Sequence, residues 1–215
     1  MNIQNPSSLF LMIGVVALVP FVAIMTTSFV KLSIVFSIVR NALGVQQIPP
    51  NMAIYGLSII LTVYIMSPVG YAISDVIEKN HLSFEHTDQL AENLSLVAEP
   101  IKTFLTKYSS VNERQFFVQS AHKLWPKEQA DRLTIDSFLV IVPAFTVSEL
   151  TSAFQIGFLI YLPFLVIDLI VSNILLALGM MMVSPMTISL PFKLLLFVLI
   201  DGWARLIHGL VLTYQ

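Results

Sequence analysis

Methionine is crowded at one point of this chain. Gly179-Met180-Met181-Met182-Val183-Ser184-Pro185-Met186 sets four thioether side chains beside a glycine and a proline, between two long apolar segments. An unbranched, polarizable side chain moulds itself to surfaces of changing shape. A ring of such groups makes a soft constriction in a conduit: it excludes ions by apolar contact and yields to a passing chain. Lipid-facing or helix-packing filler is the plainer reading of the same run. The other chemically capable residues are Lys31, Glu149, Asp168 and Lys193, each isolated in apolar surroundings. An intramembrane charge costs about 2.5–3.5 kcal/mol on insertion scales, so it pairs or faces water. Two acids and two bases favour pairing across helices or subunits. Glu149 and Lys193 each lie within a few residues of a proline, Pro143 and Pro191, and form the preferred pair. Such a pair fixes packing register. A proton relay, the competing role, strings several acids and histidines together, and no such series is present.

The elements that must position these groups follow from the charge pattern. Residues 75–136 hold ten carboxylates and seven bases, while only Lys31, Arg40, Glu149, Asp168, Lys193, Asp201 and Arg205 are charged elsewhere. The chain therefore divides into an apolar block over 1–74, a polar insert over 75–136 and a second apolar block over 137–215. In the first block, Leu9 to Val39 is one apolar run. The stretch from Arg40 to Pro50 has the glycine and tandem prolines of a turn, and Asn51 to Ile73 is a second run long enough to cross roughly 30 Å of hydrocarbon. In the second block, Phe138 to Asn173 is too long for one simple crossing. Pro143 and Pro163 inside it predict kinks or a break. Leu175 to Tyr214 is interrupted by Pro185 and Pro191. Four nominal spans result, but the excess length favours bent hairpins packed on protein.

The insert reads as helical. Leu90, Leu94, Val97, Ile101, Phe104, Leu105 and Tyr108 recur at gaps of three and four within Thr87 to Tyr108, which places them on one face. Pro100 is expected to kink or divide that helix. Asn112 is a candidate cap for a second helix that Pro126 stops. The insert is taken as a small soluble cap. Arg40 in the short first connector favours the cytoplasmic side for that turn, leaving the insert periplasmic or external. Met1 to Phe10 lacks the basic residues of a secretory signal peptide, so the first apolar segment is expected to be retained.

Small residues recur at four-residue spacing, Ser148 with Ser152 and Ala153 with Gly157, a pattern that lets helices approach closely. Asp201-Gly202-Trp203 offers a carboxylate, a flexible joint and an interfacial aromatic.

Composition narrows the function. The 215 residues are 11% charged, with net charge -2, against about 25% charged for a soluble domain, and mean hydropathy is +0.84. Lipid or oligomeric burial must replace water, and nothing points to nucleic acid. With no cysteine, disulfides, thiolate-bound zinc and thiol catalysis are excluded. No HExxH, GxSxG or GxxxxGK motif occurs. His81, His86, His122 and His208 are scattered. No enzyme activity, metal or cofactor is expected. The fold class is all-α and membrane-associated.

The same segments resemble a known family. Phe29-Val30-Lys31 followed by Arg40-Asn41-Ala42-Leu43-Gly44-Val45-Gln46-Gln47-Ile48-Pro49-Pro50-Asn51-Met52 is similar to the first block of the SctR/FliP family. These are core export-apparatus proteins of type III secretion systems and flagella. The second block agrees in Val142-Pro143-Ala144-Phe145, Ser148-Glu149-Leu150, Tyr161-Leu162-Pro163-Phe164, Ile167-Asp168-Leu169, Gly179 to Pro185, and Lys193 through Asp201-Gly202-Trp203. The short uncharged N-terminus resembles the virulence, or injectisome, branch close to YscR-type members.

That resemblance implies bent helical hairpins assembled as a helical ring, a homopentamer. It implies SctS-, SctT- and SctU-type subunits, an SctV-type export gate, inner rod or needle proteins and unfolded secretion substrates as partners. The location implied is the Gram-negative inner membrane, with part of the assembly on its periplasmic side. Met180, Met181 and Met182 would form a pore gasket, and Glu149 with Lys193 an inter-subunit salt bridge. Lys31 and Asp168 would be packing or buried charges. The implied function is a pore-forming subunit that conducts unfolded proteins. A small-solute or ion transporter is the alternative, and it would be expected to show paired inverted repeats, which are not found.

Overall fold

The computed structural model describes residues 6–45, 47–80 and 90–215, and among these every regular element is helical. In chain order they are α1 (Pro6–Met25), α2 (Phe29–Ala42), α3 (Asn51–Lys79), α4 (Leu90–Tyr108), α5 (Val111–Leu124), α6 (Lys127–Ala130), α7 (Phe138–Ala177), α8 (Pro185–Leu199) and α9 (Gly202–Leu212). The all-helical, membrane-type fold class expected from the sequence is what the structure shows. Gln46 of the first connector, and His81, His86 and Thr87 to Gln89 of the insert, lie outside the described residues.

Two helices, α3 and α7, are each long and apolar enough to cross a membrane. Two further spans are possible if each bent pair counts as one: α1 with α2, bent by 62°, and α8 with α9, bent by 60°. The first bend corrects the single Leu9–Val39 run. It falls at Thr26–Ser28, where no glycine or proline announces it. There the Thr26 N–H and hydroxyl both donate to the Val22 carbonyl, at 2.9 and 2.8 Å. The second bend falls at Asp201, which adopts the left-handed region at φ 52°.

Prolines mislead in the other direction. α7 runs unbroken for 40 residues through Pro143 and Pro163, and α4 runs through Pro100. An interior proline removes one ladder bond. Where the surroundings are apolar, unwinding further would strand more backbone groups without partners, so the helix persists. Asn112 does not cap α5. Ser110 holds that position, and its N–H donates instead to the Ser148 hydroxyl on α7 at 2.8 Å.

The chain packs as two compact units that each draw on both apolar blocks: residues 1–30 with 63–149, and residues 31–62 with 150–215. In the first unit the insert contributes to a core. Phe104 and Leu105 of α4 are buried with Val140, Ile141, Ala144 and Phe145 of α7, and the Phe104 and Phe145 rings sit 5.8 Å apart. Leu94, on the same expected face, is exposed.

In the second unit α2 is the centre, with Leu32, Val35, Phe36 and Val39 all fully buried. Phe197 of α8 meets Phe164 at 6.3 Å and Trp203 edge-on at 5.4 Å. Gly157 of α7 lets α2 come close: a Cβ there would lie 2.5 Å from Ile38 Cδ1 and 3.2 Å from Ile38 Cβ. The Ala153/Gly157 spacing is thus used within the chain. Arg40 Nη1 ties the connector by donating to Pro49 O at 3.3 Å and Asn51 Oδ1 at 2.5 Å.

At the α8–α9 bend Gly202 lies against the Phe197 ring, whose Cγ is 2.7 Å from where a Cβ would stand. Gly202→Ala is therefore expected to destabilise the protein by about 1–3 kcal/mol through overpacking. A lowered thermal midpoint of the detergent-purified protein checks this, and an unchanged midpoint contradicts it.

Candidate functional site

The methionine run owes its position to the residues on either side. α7 ends with Gly179 at φ 73°. The Gly179 N–H donates to Leu176 O at 3.0 Å and the Met180 N–H to Leu175 O at 2.9 Å. These two bonds are the paired terminal bonds that cap a helix through a left-handed glycine. α8 restarts at Pro185, a residue preset for the first helical position because its φ is fixed and it has no N–H to satisfy. Met180, Met181 and Met182 thus fall on a short, sharply bounded loop. Their exposure rises along it from 43% to 81% to 100%. Loop backbone bonds such as Met181 N–H to Gly179 O at 3.0 Å keep it compact. Among the described residues, none covers the Met182 thioether.

The isolated charges are almost all buried. Lys193 of α8 is 3% exposed and bonds Asp168 Oδ2 of α7 at 2.6 Å, with the Asp168 side chain 34% exposed. The same ammonium donates to Ala42 O at 3.1 Å, one of the carbonyls left unpaired at the end of α2. A cation there also complements the helix dipole. The Ser189 hydroxyl donates to Asp168 Oδ1 at 2.6 Å. Within its own unit, then, the partner of Lys193 is Asp168. Glu149 is 2% exposed on α7. Lys31 is equally buried, with its ammonium 4.2 Å from the centre of the Tyr214 ring, a geometry that stabilises a cation over a π face.

Ser189 and the Ala42 carbonyl were not singled out by sequence reasoning. Ser189 had a usable signal: it lies four residues before Lys193, so the two share a helix face. His208 and His122 are exposed on the surface. Among the described residues no three His, Cys, Asp or Glu side chains gather as metal ligands.

The FliP family model matches residues 12–210. The chain belongs to the FliP family. Its similarity extends over whole proteins. It is 58% identical over 214 residues, 99% of each chain, to a Yop proteins translocation protein R of Yersinia pestis. It is 47% identical to a harpin secretion protein of Pseudomonas syringae, covering 96% of this chain and all of that one. It is 46% identical to a virulence protein YscR of Salmonella typhimurium, over 99% and 98% of the two chains. The chain is accordingly an SctR/YscR-like type III secretion protein, as its Arg40–Met52 and Gly179–Pro185 segments suggest.

In this FliP-family chain the loop geometry hinges on one glycine. Gly179→Ala is expected to cost about 1–2 kcal/mol, the penalty for a Cβ in the left-handed region, and Gly179→Asn less. Unfolding midpoints of the two variants provide the check. Equal midpoints for wild type and alanine would contradict the capping role.

Proposed function

We propose that the chain is a pore-forming subunit of the type III export gate, conducting unfolded proteins across the bacterial inner membrane. The observation that carries this reading is the uncovered Met180–Met182 loop, held outward between a glycine stop and a proline start in a protein of a secretion family. Several copies arranged about an axis, five by resemblance, bring these loops together as a thioether collar. Such a collar has no side-chain code for its cargo. Apolar contact seals it when empty, and flexible side chains let it widen around an extended polypeptide. SctS-, SctT- and SctU-type subunits complete the assembly. An SctV-type component and inner rod or needle proteins act with it.

Glu149 of one copy and Lys193 of the next form a bridge between subunits. An ammonium has three donors, and Asp168 and Ala42 take two of those of Lys193. Both groups are buried in the single chain, so the bridge forms as neighbouring copies repack that surface.

Replacing Met180, Met181 and Met182 by alanine is expected to leave assembly intact and raise ion conductance through the complex in planar bilayers. Unchanged conductance counts against the collar. Glu149→Lys is expected to abolish the oligomer on native gels, and an unchanged oligomer counts against the bridge. Normal assembly with lost solute flux in the single variant favours a small-solute transporter instead.

A further inference from the structure

The α7–α8 hairpin that carries the methionine loop is held at its base by a polar clasp as well as by apolar packing. On α8, Ser189 and Lys193 lie one turn apart on the same face, and both are buried. Both reach a single carboxylate on α7: Ser189 Oγ donates to Asp168 Oδ1 at 2.6 Å and Lys193 Nζ to Asp168 Oδ2 at 2.6 Å. Segment 168–189 is thereby closed into a loop with Met180–Met182 at its tip. Beside the clasp the two arms do not fill the space between them. An apolar groove of about 400 Å³, lined by Ile170, Val171, Ile174 and Leu175 of α7 with Ile188 and Phe192 of α8, runs along the hairpin. Loosely packed arms forfeit dispersion contacts, so the directional bonds at Asp168 define the arm spacing. The third contact, Lys193 Nζ to Ala42 O at 3.1 Å, fixes the hairpin against the end of α2.

We propose that Asp168 is a positioning residue for the methionine loop. Through Ser189 and Lys193 it sets the spacing of the two arms, and through the Lys193–Ala42 bond it registers them on α2, so that the loop stands where it closes the conduit. This rests on the reading of that loop as the seal. Without the clasp the hairpin splays along its unfilled groove and the seal loosens, while the apolar surfaces used in assembly remain.

The test uses S189A, which keeps the charge pair and removes one short bond, D168N, which keeps the shape and removes the charge, and S189T, which keeps the hydroxyl. Two readouts are taken on the assembled complex: ion conductance in planar bilayers, and the mobility of a single nitroxide at Met182→Cys. This chain has no other cysteine, so it is labelled before assembly and the label reports the loop alone. S189A and D168N are expected to raise conductance severalfold and to free the label, with S189T close to wild type. Should D168N fail to assemble, S189A carries the test by itself. Unchanged conductance and mobility in S189A overturn the proposal. If the triple methionine-to-alanine variant leaks while the clasp variants do not, the seal stands and the clasp falls. If the label is freed but neither set of variants leaks, the seal falls and the positioning role falls with it.

Discussion

Exposed apolar side chains on the long helices set the terms for the whole structure. On α3, Ile59, Ile60 and Val63 stand exposed, and on α7 so do Phe158, Leu169 and Ile170. Leaving a large apolar side chain in water rather than burying it forgoes about 1.5–3 kcal/mol. Six of them alone match the roughly 5–15 kcal/mol by which a folded domain is stable. A chain built this way is not at home in water. The backbone is self-sufficient, because long helices satisfy their own N–H and C=O groups. The side chains are not, and they need lipid or other protein around them. Homologues named for translocation and secretion, matching 99% and 96% of the chain, agree with a life inside a larger membrane apparatus.

Against that background the few polar interactions carry specificity. A buried ammonium on α8 gathers a carboxylate from α7 and a carbonyl from α2, so three helices meet at one charge. Apolar surfaces slide past one another with little preference for register, whereas a buried charge without its partners costs several kcal/mol. Lys193 therefore fixes where α8 sits along α7 and α2. The loop that joins α7 to α8 inherits its position from that arrangement and its shape from Gly179 and Pro185. Met182, wholly exposed, is placed by rigid neighbours while remaining soft itself.

Much of this was legible in the residues. The Arg40–Pro50 turn, the helical insert with Phe104 and Leu105 on its inner face, and the glycine and proline that bound the methionine loop all follow from local rules that act over a few residues. The misses have physical causes. The bend at Thr26–Ser28 carries no glycine or proline to announce it. Pro143 and Pro163 lie in an apolar helix that continues because unwinding would strand more backbone groups without partners, and α4 likewise runs on through Pro100. Asp201 takes a left-handed conformation that nothing in its type requires. The intrachain bond from Lys193 to Asp168 depends on how α8 packs on α7, which residue types do not specify. The family resemblance was legible because Arg40–Met52 and Gly179–Pro185 combine many uncommon residues in fixed order.

The central claim is that copies of this chain and related subunits cover the apolar helices and bring the methionine loops around a common axis. Particle imaging of the detergent-purified protein tests it most directly. The expected result is a ring with rotational order and a constriction at Met180–Met182. A solitary helical bundle, with those thioethers facing detergent or acyl chains, would contradict it.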